Sequence, residues 1–311
     1  MSIDFDPAAP RHRLVPIHSR AGDGEMAIVE FGPPDRAPDL VMLHANGFNA
    51  MTYRQLLAPL GAEGLRVIAV DQRGHGLSRL ATPAEGHDWR RYADDLVALT
   101  AALGNMPRVL AGHSMGGTAI LLAAPQLAAA TGRAPSMVLF DPVLKPASAD
   151  AAGAAGLAAD SPLVRGALRR NAFFESRESA LQSYSGRGAF KTWPDAVIAD
   201  YLTDGLKARD DSAEGGMTLT CAPAWEAANF VSSYRVSPTE ALSQPLANIR
   251  ILRAEHESTC RWDEGAATSP WPPHVRVESV PGTTHFLPME KPELARAALR
   301  EAIAEASTAA R

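Results

Sequence analysis

The chain has 311 residues, enough to bury one large core or two smaller ones. Its 30 Lys and Arg against 35 Asp and Glu leave a formal net charge of −5 with no basic block, which argues against a nucleic-acid partner. Cys221 and Cys260 stand in no metal-ligand or CxxC spacing, no apolar run reaches membrane-spanning length, and the acidic N-terminus lacks a signal-peptide pattern; the expectation is a cytoplasmic chain with free thiols and no metal.

Leu14–His18 and Met26–Phe31 read as two short strands joined by the turn Ala21-Gly22-Asp23-Gly24. Leu40–Leu43 is a continuous apolar run, as suits a strand covered on both faces, and it ends in His44-Ala45-Asn46-Gly47-Phe48-Asn49. A helix over Tyr53–Leu60 follows, then a buried strand over Arg66–Val70 running into Asp71-Gln72-Arg73-Gly74-His75-Gly76-Leu77-Ser78. Trp89–Leu103 carries Tyr92, Leu96, Leu99 and Leu103 on one stripe, an amphipathic helix. Next comes Val109-Leu110-Ala111-Gly112-His113-Ser114-Met115-Gly116-Gly117, with a helix over Thr118–Leu127, and then the strand Met137–Phe140 ending in Asp141-Pro142. Strand and helix alternate throughout, which predicts an α/β fold with a mostly parallel, doubly wound sheet and a site at the C-terminal strand ends.

From Lys145 to Ser237 the pattern changes. No buried-strand run appears; instead there is an Ala-rich segment (Ala147–Ala159) and helical stretches over Leu163–Phe174, Arg177–Tyr184, Pro194–Leu206 and Ala224–Phe230. The alternation resumes with Asn248–Arg253 and Val275–Val280, a proline-marked loop at Pro270, Pro272 and Pro273 between them, and a last helix over Pro292–Glu305. The expected organisation is a core in two parts, 1–144 and 238–311, with a helical cap, 145–237, inserted before the penultimate strand.

The chemistry centres on Ser114. A strand, a turn too tight for a side chain at Gly112 or Gly116, and a helix would lift its hydroxyl clear of the backbone, the nucleophile-elbow pattern G-x-S-x-G; the bland alternative is a βα turn with a serine cap. A serine hydroxyl needs a base within hydrogen-bond reach, and the base needs an acid to fix its tautomer. In this chain order the base comes last, after the final strand, and His285 in Pro281-Gly282-Thr283-Thr284-His285-Phe286 fits. Two acids are open. Asp141 ends the strand after the elbow helix and is stiffened by Pro142, whereas Glu257 lies in the polar run Glu255-His256-Glu257; the strand-end position favours Asp141. The oxyanion needs two amide donors, assigned to Met115 and to Asn46. His44 and His113 lie beside the site as packing and hydrogen-bonding residues, and His75 sits in a Gly-rich turn; His12, His18, His87, His256 and His274 read as loop or surface positions.

Leu-His-Ala-Asn-Gly-Phe, Asp-Gln-Arg-Gly-His-Gly-Leu-Ser, Gly-His-Ser-Met-Gly-Gly and Gly-Thr-Thr-His-Phe together resemble the α/β-hydrolase superfamily, over about Leu40–Pro142 and from Ile249 to the C-terminus. The resemblance implies a Ser114–His285–acid triad, an oxyanion hole from Asn46 and Met115, no cofactor, and a lid over residues 145–237. Two departures stand out: Ala45 replaces a glycine of the oxyanion loop, and Ala254-Glu255-His256-Glu257 stands where the family usually has Gly-x-x-Asp. The implied activity is a serine hydrolase acting on a small ester, thioester or lactone, with carbon–carbon bond hydrolysis or lyase chemistry on the same triad as the near alternative. A ligand-binding protein that has lost turnover is the alternative of another class. Phe173, Phe174, Tyr184, Phe190, Trp193, Tyr201, Trp225, Phe230 and Tyr234 either roof an apolar pocket for a small-molecule substrate or form the insertion's own core.

Overall fold

The computed structural model describes residues 5–83, 87–132, 134–145, 160–209, 215–263 and 271–309. β1 (Arg11–Ile17) and β2 (Gly24–Phe31) form an antiparallel hairpin, with Ile17 opposite Gly24. β2 also pairs antiparallel with β4 (Val67–Val70) and, at its start, with the two-residue β5 (Arg79–Leu80). The rest of the sheet is parallel: β3 (Leu40–Leu43), β6 (Val109–His113), β7 (Ser136–Phe140), β11 (Ile249–Ala254) and β12 (Val275–Val280). The strand order is β1-β2-β4-β3-β6-β7-β11-β12, and the parallel pairs β3–β4 and β6–β7 are bridged by the helices Arg54–Ala62 and Met115–Thr131, as crossover connections require.

β3, β4 and β6 are continuously buried because each face of the sheet has its own cover. Leu40, Met42, Val67, Ala69, Val109 and Ala111 point to α1 (Arg54–Ala62) and to the last helix, α10 (Pro292–Ala309), where Leu56, Leu57, Leu60, Leu299 and Ile303 meet them. Val41, Leu43, Ile68, Val70 and Leu110 point the other way, to α2 (Arg90–Ala102) and α3 (Met115–Thr131). Successive residues alternate between the two cores, the two-residue period of a strand. The elbow helix starts at Met115, earlier than the alanine-rich run from Thr118 suggests, because the chain enters helix directly from Ser114.

Between β7 and β11 lie α4 (Pro162–Leu168), α5 (Arg177–Tyr184), α6 (Asp195–Gly205), α7 (Pro223–Ser232) and α8 (Thr239–Ser243). The segment, read from the sequence as a helical cap with no buried-strand run, also contains strands. β8 (Phe173–Phe174), β9 (Leu206–Ala208) and β10 (Met217–Leu219) form a separate antiparallel sheet in the order β8-β10-β9. Strands of two or three residues are too short to show an alternating pattern. The expected helix Leu163–Phe174 also stops at Leu168. Asn171 explains the change: its side chain accepts from Phe173 N–H and donates to Phe173 O, a local turn that competes with helix. Ala147–Ala159 and Pro270 lie outside the described residues.

The insertion is bolted to the core along α6. Asp200 accepts from Arg54 Nη1 at 2.9 Å and Gln55 Nε2 at 2.6 Å, Asn49 Nδ2 donates to Tyr201 O, and His12 in β1 meets Asp204 at 2.8 Å. One further short helix, α9 (Leu287–Glu290), leads into α10.

Candidate active site

Ser114 follows the last residue of β6 in a left-handed conformation, φ 53° and ψ −117°, one that a side-chain-bearing residue adopts at a cost of order 1–3 kcal/mol. Two glycines make the turn possible. A Cβ at Gly112 would lie 2.6 Å from the backbone of Gly116 and Gly117, and one at Gly116 would lie 2.5 Å from Leu43 O. The serine is thereby held close to the C-terminal end of β3 and is 6% exposed.

Ser114 Oγ lies 2.9 Å from His285 Nε2, and His285 Nδ1 lies 2.6 Å from Asp141 Oδ2. His285 stands in the turn after β12, and Asp141 directly after β7 with φ 42°, a left-handed position where Asp is among the better tolerated residues. The Asp141 carboxylate is completely buried and surrounded by donors. Oδ1 accepts from Ala254 N–H at 3.0 Å and Ser258 Oγ–H at 2.5 Å; Oδ2 accepts from Thr259 N–H at 2.9 Å. Burial alone would raise its pKa, but the hydrogen bond and charge of His285, with Ser258 and Thr259, outweigh it and hold the carboxyl below its ordinary value. An ionised Asp141 accepts a hydrogen bond from His285 Nδ1–H, which leaves the Nε2 lone pair facing the serine hydroxyl. Glu257 is exposed, and no hydrogen bond joins it to His285 among the described residues.

The loop after β3 has its amides accounted for with one exception. Ala45 N–H donates to Tyr53 OH at 3.1 Å, Gly47 N–H to His75 Nε2 at 3.1 Å, and Phe48 N–H to Ala45 O. Asn46 N–H, like the N–H of Met115 at the first position of α3, has no protein acceptor among the described residues. A helix's first amides are orphan donors and sit at the positive end of its dipole, so the Met115 N–H lies in a positive local field.

Three buried histidines brace this arrangement. His44 Nε2 accepts from Gln72 N–H, and its Nδ1 donates to Ala45 O. His75 Nδ1 donates to Arg73 O, which fixes Nε2 as the acceptor for Gly47. His113 Nδ1 accepts from Tyr53 OH at 2.8 Å while its Nε2 donates to His285 O at 2.7 Å. A continuous path thus runs from Ala45 through Tyr53 and His113 to the backbone of His285. Burial depresses all three histidines, His75 to about 4 and His113 to about 3, so each stays neutral and keeps one tautomer.

His87 corrects the surface reading given to it: it is 2% exposed, its Nε2 lies 2.7 Å from Asn229 Oδ1, and its ring lies 4.3 Å from that of Trp225. The aromatic residues of the insertion divide. Trp193 lies 4.9 Å from Phe48 and 5.6 Å from Phe286, bridging the loop after β3 and the neighbour of His285, with Phe190 and Tyr201 packed beside it. Phe173 is exposed, Phe230 packs against Val164, Ala167 and Ala227, and Tyr234 carries Lys145 over its ring. Ser258 and Thr259, which cradle Asp141, and Tyr53, which links two loops, were not recognisable as site residues. The adjacent hydroxyl pair after Glu257 is the one local signal that pointed to the cradle.

The model of the "Alpha/beta hydrolase family" matches residues 40–298. The 2-(acetamidomethylene)succinate hydrolase of Mesorhizobium japonicum is 27% identical over 262 residues, 83% of this chain and 84% of that protein. The monoacylglycerol lipase of Mycolicibacterium smegmatis is 32% identical over 148 residues, 41% of this chain, and the match spans about half of the lipase (52%). In structure, E-2-(acetamidomethylene)succinate hydrolase superposes with a TM-score of 0.73 at 24% identity, covering 95% of this chain and 100% of that one.

Proposed function

The chain belongs to the alpha/beta hydrolase family, and we propose that it is a serine hydrolase that cleaves a small to medium carboxylic ester, thioester or lactone through an acyl-enzyme. The observation that carries this reading is the unbroken line Ser114 Oγ–His285 Nε2–His285 Nδ1–Asp141 Oδ2, at 2.9 and 2.6 Å, beside two amides free to receive an oxyanion. Ser114 Oγ attacks the carbonyl carbon as His285 Nε2 takes its proton. The negative charge that develops on the carbonyl oxygen is stabilised by the N–H groups of Asn46 and Met115. His285 then protonates the leaving alcohol or thiol, and water, deprotonated in turn by His285, releases the acid. Asp141 holds the ring in its tautomer and stabilises the imidazolium without itself taking the proton. None of these steps calls on a cofactor.

The described part of residues 145–237 acts as a cap, its Trp193, Phe190 and Tyr201 forming an apolar wall against Phe48 and Phe286, the latter next to His285. An aromatic wall of this kind favours medium-sized, uncharged groups. A fluorophosphonate probe tests the central assignment: Ser114 should be labelled in the folded protein, and failure to label would leave a binding protein as the better reading. A p-nitrophenyl ester series should peak at short to medium chains; rates that climb steeply to long acyl chains would refute the closed pocket.

A second reading concerns charge. Arg170, from the insertion, donates to Glu226 Oε2 at 2.5 Å and Tyr201 OH at 2.8 Å, and a Cβ at Gly47 would lie 3.3 Å from Arg170 Nη1. The Glu226 carboxylate would lie closer still, 2.9 Å from that Cβ, so a substrate carrying a carboxylate, the class that the name of the succinate hydrolase suggests, would have to take the guanidinium from its pairing with Glu226. Faster cleavage of a dicarboxylic monoester than of its neutral diester would select this reading over the uncharged one.

A further inference from the structure

Asn46 has its side chain held at both ends by one helix of the insertion. Its Oδ1 accepts from Asn229 Nδ2 at 2.9 Å, and its Nδ2 donates to Glu226 O at 2.9 Å. Both partners belong to α7, about half the chain away in sequence. Asn229 is 0% exposed and its amide can face only one way. Its Oδ1 accepts from His87 Nε2 and from Tyr92 OH, each at 2.7 Å, so the NH2 group is turned toward Asn46. The Asn229 carbonyl oxygen accepts from Trp89 Nε1 at 3.1 Å, which ties the same residue to the start of α2. The side-chain amide is therefore satisfied from the core on one side and spends its donor on the loop after β3 on the other.

We propose that Asn229 is a positioning residue for the oxyanion: by clamping the Asn46 side chain, it sets the direction of the Asn46 backbone N–H. The inference rests on the serine-hydrolase reading above. The peptide that carries the Asn46 N–H has its carbonyl, Ala45 O, held by His44 Nδ1 at 2.7 Å and Phe48 N–H at 3.1 Å, and the two bonds from α7 to the Asn46 side chain hold the other side of the same unit, completing its fixation from the insertion. An oxyanion donor acts only when it is aimed before charge develops. Because α7 lies in the insertion, the aim of the donor depends on the insertion being seated.

The test is steady-state hydrolysis of p-nitrophenyl butyrate together with inhibition by benzeneboronic acid, which forms a tetrahedral adduct on a nucleophilic serine. In Asn229→Ala, kcat should fall by about 10- to 100-fold with KM within about twofold, since only the transition state uses the aimed amide. The boronic acid should weaken by the same factor as kcat/KM, a parallel that loss of general structural support would not produce. Asn229→Asp preserves volume and acceptors for His87 and Tyr92 but has no donor for Asn46, and should show the same loss; because it also buries a carboxylate, near-UV circular dichroism is read on both variants, and a loss confined to an unfolded Asn229→Asp with wild-type kcat in folded Asn229→Ala would overturn the proposal. Asn46→Ala keeps the backbone amide and removes the clamp, so its combination with Asn229→Ala should be no worse than the poorer single variant. Wild-type kcat in Asn229→Asp, a raised KM at unchanged kcat, or multiplicative losses in the double variant would each overturn the proposal. Ser114→Ala keeps the two readings apart: turnover surviving there sinks the hydrolase assignment, whereas turnover lost there but intact in Asn229→Asp sinks this inference alone.

Discussion

Replacing Asp141 with asparagine separates the two candidate acids and probes the tautomer of the base. The substitution is nearly isosteric, and the φ of 42° at this position suits Asn as well as Asp, so the backbone should be unaffected. The consequence lies in the donors. The carboxylate accepts from Ala254 N–H and Ser258 O–H on one oxygen, and from Thr259 N–H and His285 Nδ1 on the other. An amide supplies one acceptor and one donor group, so one of these sides must face an NH2. If the NH2 points to Ala254, two buried donors lose their acceptor, at about 1–3 kcal/mol per unsatisfied group. If it points to His285, the ring carries its proton on Nε2 and can no longer accept from Ser114; in the serine-protease triad the same exchange lowers kcat about 10⁴-fold. Turnover of p-nitrophenyl butyrate by Asp141→Asn should therefore fall by about 10³- to 10⁴-fold. The melting temperature should drop by several degrees, and Glu257→Gln should stay within about twofold of the parent because Glu257 is exposed and its loss frees no buried partner. A folded Asp141→Asn protein with more than about a tenth of the parental rate would refute the reasoning. Collapse of turnover in Glu257→Gln alone would transfer the role to Glu257.

Other perturbations read different parts of the frame. Gly116→Ala places a Cβ 2.5 Å from Leu43 O and 2.7 Å from His44 O; backbone cannot yield there, so a loss of about 1–3 kcal/mol in urea denaturation and a fall in kcat are expected, and a neutral outcome would mean the elbow is slacker than described. Tyr53→Phe strands Ala45 N–H and His113 Nδ1 and should cost about 1–3 kcal/mol; an unchanged denaturation midpoint would show that the path between the two loops bears no load. His12 has its pKa raised, chiefly by the hydrogen bond to Asp204. Its contribution is then fully present below the unfolded value of about 6.5 and lost as pH rises through the higher folded value. Thermal melts should show a fall in stability across that window that is smaller in His12→Gln than in the parent, and identical pH profiles would exclude the tie between β1 and α6 as a contributor.

The parts of this molecule that could be read in advance are those whose cause is local. The elbow needs a strand, two glycines where an added Cβ would lie within 2.6 Å of backbone, and a helix, all inside about twenty consecutive positions, so Ser114 stands out from its own surroundings. His285 is expected from chain order, after the final strand, whereas chain order left Asp141 and Glu257 both open as its partner, and it is Asp141 that the structure brings within 2.6 Å of Nδ1. β3, β4 and β6 are legible because burial on both faces leaves an uninterrupted apolar run. The short sheet β8-β10-β9 has no such signature. Its strands exist only because Phe173–Phe174, Leu206–Ala208 and Met217–Leu219 find one another across the insertion.

The loop over Ala254–Thr259 shows how a departure from the family pattern can carry information once the fold is known. Its lack of an aspartate looked like a weakness in the acid assignment. With Asp141 advanced to the end of β7, the loop instead supplies Ala254 N–H, Ser258 O–H and Thr259 N–H to a carboxylate that arrives from the neighbouring strand. A carboxylate in place of Ser258 or Thr259 would face Asp141 at close range, and two carboxylates sharing one buried site cannot both ionise without a rise in pKa; the loop's own acids, Glu255 and Glu257, are exposed instead. Donors and acid are therefore alternatives for the buried positions. On the proposed mechanism, the hydroxyl pair Ser258-Thr259 and a strand-end aspartate stiffened by Pro142 form a single signature. Asn229 and Tyr53 leave no comparable trace, because each acts through partners on several separate segments and neither belongs to any local pattern.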